Sequence, residues 1–240
     1  SYGQHHIFAA APRGSIGLGW VFWLLSTLAL LLYLVAMVVV MARPGRRNTL
    51  YTLRAFAQAG NLMFLALLSA PAIGWGEGFM RWEHDARTLF DLLTAGALVH
   101  VSNLHPRRLP QAAPRATLAW VLLAAVGALA VWLREPSSWW WTQGALIAAG
   151  VVSVAQLTWM QKRDPHPLAV QLQRFSLLAI GGLLLLTISV AGLGPELDPR
   201  GQASTLGSTM WVVFLSVMLL MLPFLSRTPM KTVSVTPTAL

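Results

Sequence analysis

Residues 16–42 read IGLGWVFWLLSTLALLLYLVAMVVVMA, and no side chain in the run carries a charge. A helix needs about 20 mostly apolar residues to cross the hydrocarbon of a bilayer. This run exceeds that length, and it is too long for the apolar stretch of a cleavable signal peptide. The preceding SYGQHHIFAAAPRG also lacks the basic-then-apolar order of such a leader. The run therefore predicts a membrane span, and that narrows the fold sharply. Lipid offers no partner to backbone N–H and C=O groups, so only helices and closed barrels can cross it.

The remaining chain repeats the pattern. Six more segments have the length and apolar character of spans, at roughly 51–73, 86–105, 115–134, 139–161, 168–193 and 205–226. Between them lie RPGRRN, GWGEG, HPRRLPQAAPR, REPSS, KRDPHP and GPELDPRGQ, where the helix breakers Pro and Gly collect. Composition agrees, with 56% hydrophobic and only 10% charged residues, against about 25% charged in soluble domains. The expected fold class is an all-α integral membrane protein, a single bundle of seven transmembrane helices. Residues 227–240 read as a cytoplasmic tail or linker.

Charge predicts the orientation. With the first loop placed inside, one side receives Arg43, Arg46, Arg47, Arg54, Arg107, Arg108, Arg115, Lys162, Arg163, Arg174, Arg227 and Lys231. The other side keeps Arg13, Arg81, Arg87, Arg134 and Arg200, together with every acid except Asp164. Cytoplasmic loops are enriched in Lys and Arg, so the N-terminus is expected outside and the C-terminus in the cytoplasm, in a bacterial inner membrane. The net charge of +9 is then a topology signal and gives no reason to expect nucleic acid.

Ionisable side chains within spans are candidates for function. In the second segment Arg54, Gln58 and Asn61 stand at i, i+4 and i+7, one polar face of a helix. Together with His100 of the third segment they form a candidate ligand-binding group near the inner rim. The same stripe also reads as hydrogen-bonding glue between helices, worth roughly 0.6 kcal/mol per bond. Arg87 and Asp91 are one turn apart in the third segment and are expected to form an outer-rim ion pair. A buried carboxylate at Asp91, accepting a proton or a ligand, is the functional alternative. His100 follows Asp91 by nine positions, about half a turn of rotation, so the two cannot make one dyad.

Tryptophan collects toward the outer half, with Trp139, Trp140 and Trp141 as its centre. These residues form a candidate aromatic outer surface, or else the ordinary aromatic belt of a membrane interface. Other chemistry finds little support. The histidines besides His100 are His5, His6, His84, His105 and His166, all in predicted loops or tails, and the lack of two facing intramembrane histidines argues against haem b. Neither lysine, Lys162 or Lys231, lies within a predicted span, which excludes a retinal Schiff base. His5, His6, Glu83, His84 and Asp85 share the outer face, but no metal-ligand spacing joins them. The chain has no cysteine, and no Walker loop, dinucleotide fingerprint or nucleophile elbow occurs.

Close-packing residues recur, among them Ala55, Ala59 and Gly60, Ala95 and Gly96, and Gly181 and Gly182. They let helix backbones approach where lipid removes the hydrophobic drive to associate. The functional expectation is a non-catalytic sensory input module of a bacterial signalling receptor. The alternative is an accessory subunit of a respiratory or photosynthetic membrane complex, and a small transporter is the third reading. The expected partners are the lipid bilayer and another protein, or a second copy, met through the spanning helices. The cofactor, if there is one, is not legible.

Overall fold

The structure is a computed structural model that describes residues 18–42, 44–70, 76–104, 108–133, 137–163, 167–197 and 202–225. These residues form seven α-helices and no strand: α1 Gly19–Ala42, α2 Arg46–Leu68, α3 Glu77–Leu104, α4 Ala112–Leu133, α5 Ser137–Arg163, α6 Pro167–Leu197 and α7 Gln202–Leu225. The tail expected at 227–240 and the histidines His5 and His6 lie outside the described residues.

Helix boundaries differ from the sequence expectation where polar residues prove helical. α2 starts at Arg46 rather than 51, because nothing after Pro44–Gly45 breaks a helix and Thr49 N–H already reaches the Gly45 carbonyl at 2.9 Å. α3 starts at Glu77 rather than 86, so EGFMRWEHDA adds more than two turns that the GWGEG loop assignment hid. An Arg87–Glu83 pair one turn apart at 3.1 Å supports that extension. Pro167 opens α6, where its fixed φ suits the first helical position and its missing N–H costs nothing.

The helices pack as a closed ring of five with two outriders. α2 packs on α3, α3 on α5, α5 on α6, α6 on α7, and α7 returns to α2. α1 lies against α2 and α7, and α4 against α3 and α5. One apolar cluster joins α1, α2 and α7 through Leu32, Leu62 and Leu219. A second joins α3, α4, α5 and α6 through Leu92, Leu123, Leu146 and Leu183. Trp211 of α7 touches both clusters, with its indole N–H donated to the Ala179 carbonyl of α6 at 3.1 Å.

Two of the glycines singled out in the sequence sit at tight helix approaches. A Cβ at Gly60 of α2 would land inside the Phe90 ring of α3, and one at Gly96 of α3 would land on the Trp120 ring of α4. The small-residue pattern of the sequence thus marks real seams at these two positions.

Among the described residues, four helices are long and apolar enough to cross a membrane: Gly19–Ala42, Ala112–Trp132, Trp139–Arg163 and Ala169–Gly192. Their apolar surface is turned outward, since only 11% of the α6 window and 22% of the α1 window is buried in the protein. α2 has the opposite distribution, burying Gln58 and Asn61 with Leu62 and Ala66. A water-soluble fold buries apolar and exposes polar side chains, so this arrangement suits lipid as the solvent. α2 and α3 fall short of span hydropathy because each packs on three neighbours and turns its polar face to protein.

Candidate functional site

Five helices of the ring surround a cavity of about 300 Å³ at one end of the bundle, where α2 and α6 end and α3, α5 and α7 begin. Each contributes residues at helical spacing. α3 supplies His84, Arg87, Thr88 and Asp91, at i, i+3, i+4 and i+7, so one face of the helix lines the wall. α5 supplies Trp139, Thr142 and Gln143, and α7 supplies Ser208, Trp211 and Val212. Leu183, Leu186 and Val190 of α6 and Leu68 of α2 complete the lining. The cavity has two characters: a polar wall on α3 and α5, and an apolar wall on α6. His84 is exposed at the mouth, whereas Thr88, Thr142 and Gln143 are buried.

The polar wall is held by named bonds. Asn61 of α2 donates its Nδ2–H to Asp91 Oδ1 at 2.7 Å. Arg87 donates from Nη1 to Glu83 Oε1 at 3.1 Å, and Glu83 is only 5% exposed. Gln58 of α2 donates to the Val212 carbonyl of α7 at 3.1 Å, tying the ring closed beneath the cavity. Two buried polar atoms of the wall lack a protein partner, Arg87 Nε and Gln143 Oε1. Buried polar groups are normally satisfied, so each is open to a further hydrogen bond.

Arg87 makes its contact ion pair with Glu83 and acts on Asp91, its expected partner, only through space. Asp91 and Glu83 each stand four residues from Arg87, and the guanidinium bonds Glu83. Helical side chains lean toward the N-terminus, and an acid N-terminal to its base is the better order at this spacing. Asp91 takes its hydrogen bond from the second-helix stripe instead.

The structure also divides the group Arg54, Gln58, Asn61 and His100. Gln58 faces α7 and Asn61 faces α3. Arg54 lies a turn below Gln58, with Nε lacking a protein partner, on the helix whose Tyr51 donates to the Leu219 carbonyl at 2.9 Å. His100 faces α4, where its Nδ1 accepts from Trp120 Nε1 at 3.2 Å. The half-turn between Asp91 and His100 explains the split: one side of α3 addresses the ring, the other its outrider. Of the four residues, Asn61 and Gln58 bond to lining residues, Asn61 to the Asp91 carboxylate and Gln58 to the Val212 carbonyl. We expect Asn61→Ala to cost about 2 kcal/mol, since it strips a donor from a half-buried carboxylate, and His100→Ala about 1 kcal/mol. Reversible unfolding in detergent measures both, and equal losses would contradict the division.

Of the aromatic triplet, Trp139 lines the cavity and meets Trp140 edge-on at 4.7 Å, while Trp140 and Trp141 are exposed. Sequence reading passed over Thr88, Thr142, Gln143 and Ser208, whereas Trp211 belongs to the tryptophans it placed in the outer half. The usable signal was Thr-Gln directly after the tryptophans, which places two polar side chains within the first turns of a span. No group of three His, Asp or Glu able to hold a metal ion occurs among the described residues.

At the opposite end, Pro44, Gly45, Arg46, Arg47, Asn48, Leu104 and Arg108 line a shallow recess, and Arg47 donates to the Leu104 carbonyl at 3.1 Å. This recess is basic and lies open at the helix ends. Comparison of the chain with known protein families gives no match, and comparison with curated proteins gives none either.

Proposed function

We propose that the chain is a seven-span membrane module, with its N-terminus outside, that serves as the sensory input of a bacterial signalling receptor and takes its stimulus in the five-helix cavity. The cavity itself carries this reading. All five ring helices line it, so an occupant touches each of them and can bias how they pack. A site built by several helices of one bundle is where ligands of helical proteins commonly sit.

Orientation follows from the arginines, which gather at the end opposite the cavity. The mouth at His84 then opens to the outside and α7 runs toward the cytoplasm, where an output domain or partner would be driven. We read the activity of this lining as binding without chemistry. The coding sequence beyond Leu240 and its neighbouring genes test the proposal. Continuation into a kinase or cyclase domain, or an adjacent partner of that type, supports it; the absence of both would sink it.

The accessory-subunit reading has its own observation. Trp20, Trp82, Trp132 and Trp141 are exposed by 57 to 80% and lie toward the cavity end of the bundle, a one-sided aromatic surface that suits a protein partner. That reading expects a stable complex to copurify in mild detergent and to be indifferent to substitutions in the cavity.

A further inference from the structure

We propose that the cavity binds a small organic cation, an ammonium carried on an aromatic or aliphatic body. This names the ligand class of the site above and rests on its reading as the stimulus site.

Charge is the first argument. Glu83, Arg87 and Asp91 follow one another at four-residue intervals on one face of α3, giving two acids for one base. Arg87 spends its bond on Glu83, and Asp91 is left with the neutral amide of Asn61. The other helices facing Asp91 add no cation to the described lining. From α5 come Trp139, Thr142 and Gln143, from α6 aliphatic residues, and from α7 Ser208 and Trp211. His84 stands at the exposed mouth. Arg87 also acts on Asp91 through space, but one cation between two acids leaves a negative charge over, and an ammonium beside the half-buried Asp91 offsets it.

Hydrogen bonding gives a second, independent argument. Gln143 is 7% exposed and its carbonyl oxygen has no partner. Asp91 and Gln143, both in the lining, offer acceptors that an N–H donor satisfies. The unpartnered Arg87 Nε supplies one donor, suited to a hydroxyl on the same ligand. A ligand carboxylate would meet that donor too, but it would restore the excess of negative charge that the ammonium offsets.

Shape agrees with this assignment. Leu183, Leu186 and Val190 of α6 give the cavity an apolar side, and Trp139 and Trp211 are also part of its lining. Indole faces attract cations as well as aromatic rings. At about 300 Å³ the space lies at the small end of ligand pockets.

Calorimetric titration of the full chain in detergent tests the class with three probes that share one ring: tyramine, 4-hydroxyphenylacetate and tyrosine. Tyramine should bind saturably, and the anion and the zwitterion should bind more weakly or not at all. Asp91→Asn should weaken tyramine at least about thirtyfold, the loss expected when one partner of a buried charge pair is removed. Gln143→Leu, on a different helix, should weaken it by a smaller factor and serves if Asp91→Asn does not fold. Tighter binding of the anion or zwitterion, lost in Gln143→Leu, would overturn the cation class while keeping the cavity as a stimulus site. Silence from all three probes would overturn the cation class, and the stimulus-site reading would then stand or fall on its gene-context test.

Discussion

Arg87→Met should lower the unfolding free energy of the detergent-solubilised chain by about 3 kcal/mol, the cost of leaving one member of a buried ion pair alone. The guanidinium sits midway between Glu83 and Asp91 along α3. It donates to Glu83 Oε1 at 3.1 Å, with the acid side chain 7% and the base 24% exposed. Methionine keeps the aliphatic volume but leaves two carboxylates with no cation between them. Combining Glu83→Gln with Arg87→Met removes one of those charges and should recover roughly half of the loss, a coupling typical of contacting residues. Arg87→Lys keeps the charge without the planar fork and should cost less than methionine. Denaturant titration followed by circular dichroism measures the series. A loss below about 1 kcal/mol for methionine, the range of surface pairs, would place Arg87 on the surface instead.

Gly60→Leu should be comparably damaging, near 3 kcal/mol, at the upper end of the cost of overpacking. A Cβ at this position would overlap the Phe90 ring, so leucine must displace that ring into the apolar groove that Gly60 and Phe90 line. Asn61 is the next residue and holds Asp91 across the same seam, so spreading the helices also breaks the cavity wall. Phe90→Ala in the same chain frees the volume leucine needs and should return at least half of the stability. A Gly60→Leu protein with unchanged stability and unchanged ligand binding would show that α2 and α3 do not approach as described.

These two positions show what the sequence made legible. The apolar runs located all seven helices because a span must be continuously apolar wherever it faces lipid, and α1 and α6 face little else. α2 and α3 were harder, since packing on three neighbours frees them from that requirement. Their polar residues were visible as candidates, but helical spacing alone cannot say which neighbour each face meets. Arg87 had acids on both sides at equal spacing, and only the lean of its side chain chose Glu83. Asn61 seemed bound for His100 by depth along the bundle, yet the partner was Asp91, set by the rotation of α3. The polar wall on α5 lay at Thr142 and Gln143, inconspicuous beside three tryptophans. It became a site only when folding set it against α3.

The central claim is that the cavity end of the bundle faces outward and the basic end faces the cytoplasm. The chain has no cysteine, so single cysteines can be introduced without a background. His84, at the cavity mouth, and Lys162, at the last turn of α5, are both exposed. Labelling of His84→Cys and Lys162→Cys in intact cells with a membrane-impermeant maleimide tests the claim most directly. The account predicts that His84→Cys is labelled in intact cells and Lys162→Cys only after the membrane is opened. Labelling of Lys162→Cys in intact cells, or protection of His84→Cys until lysis, would contradict it.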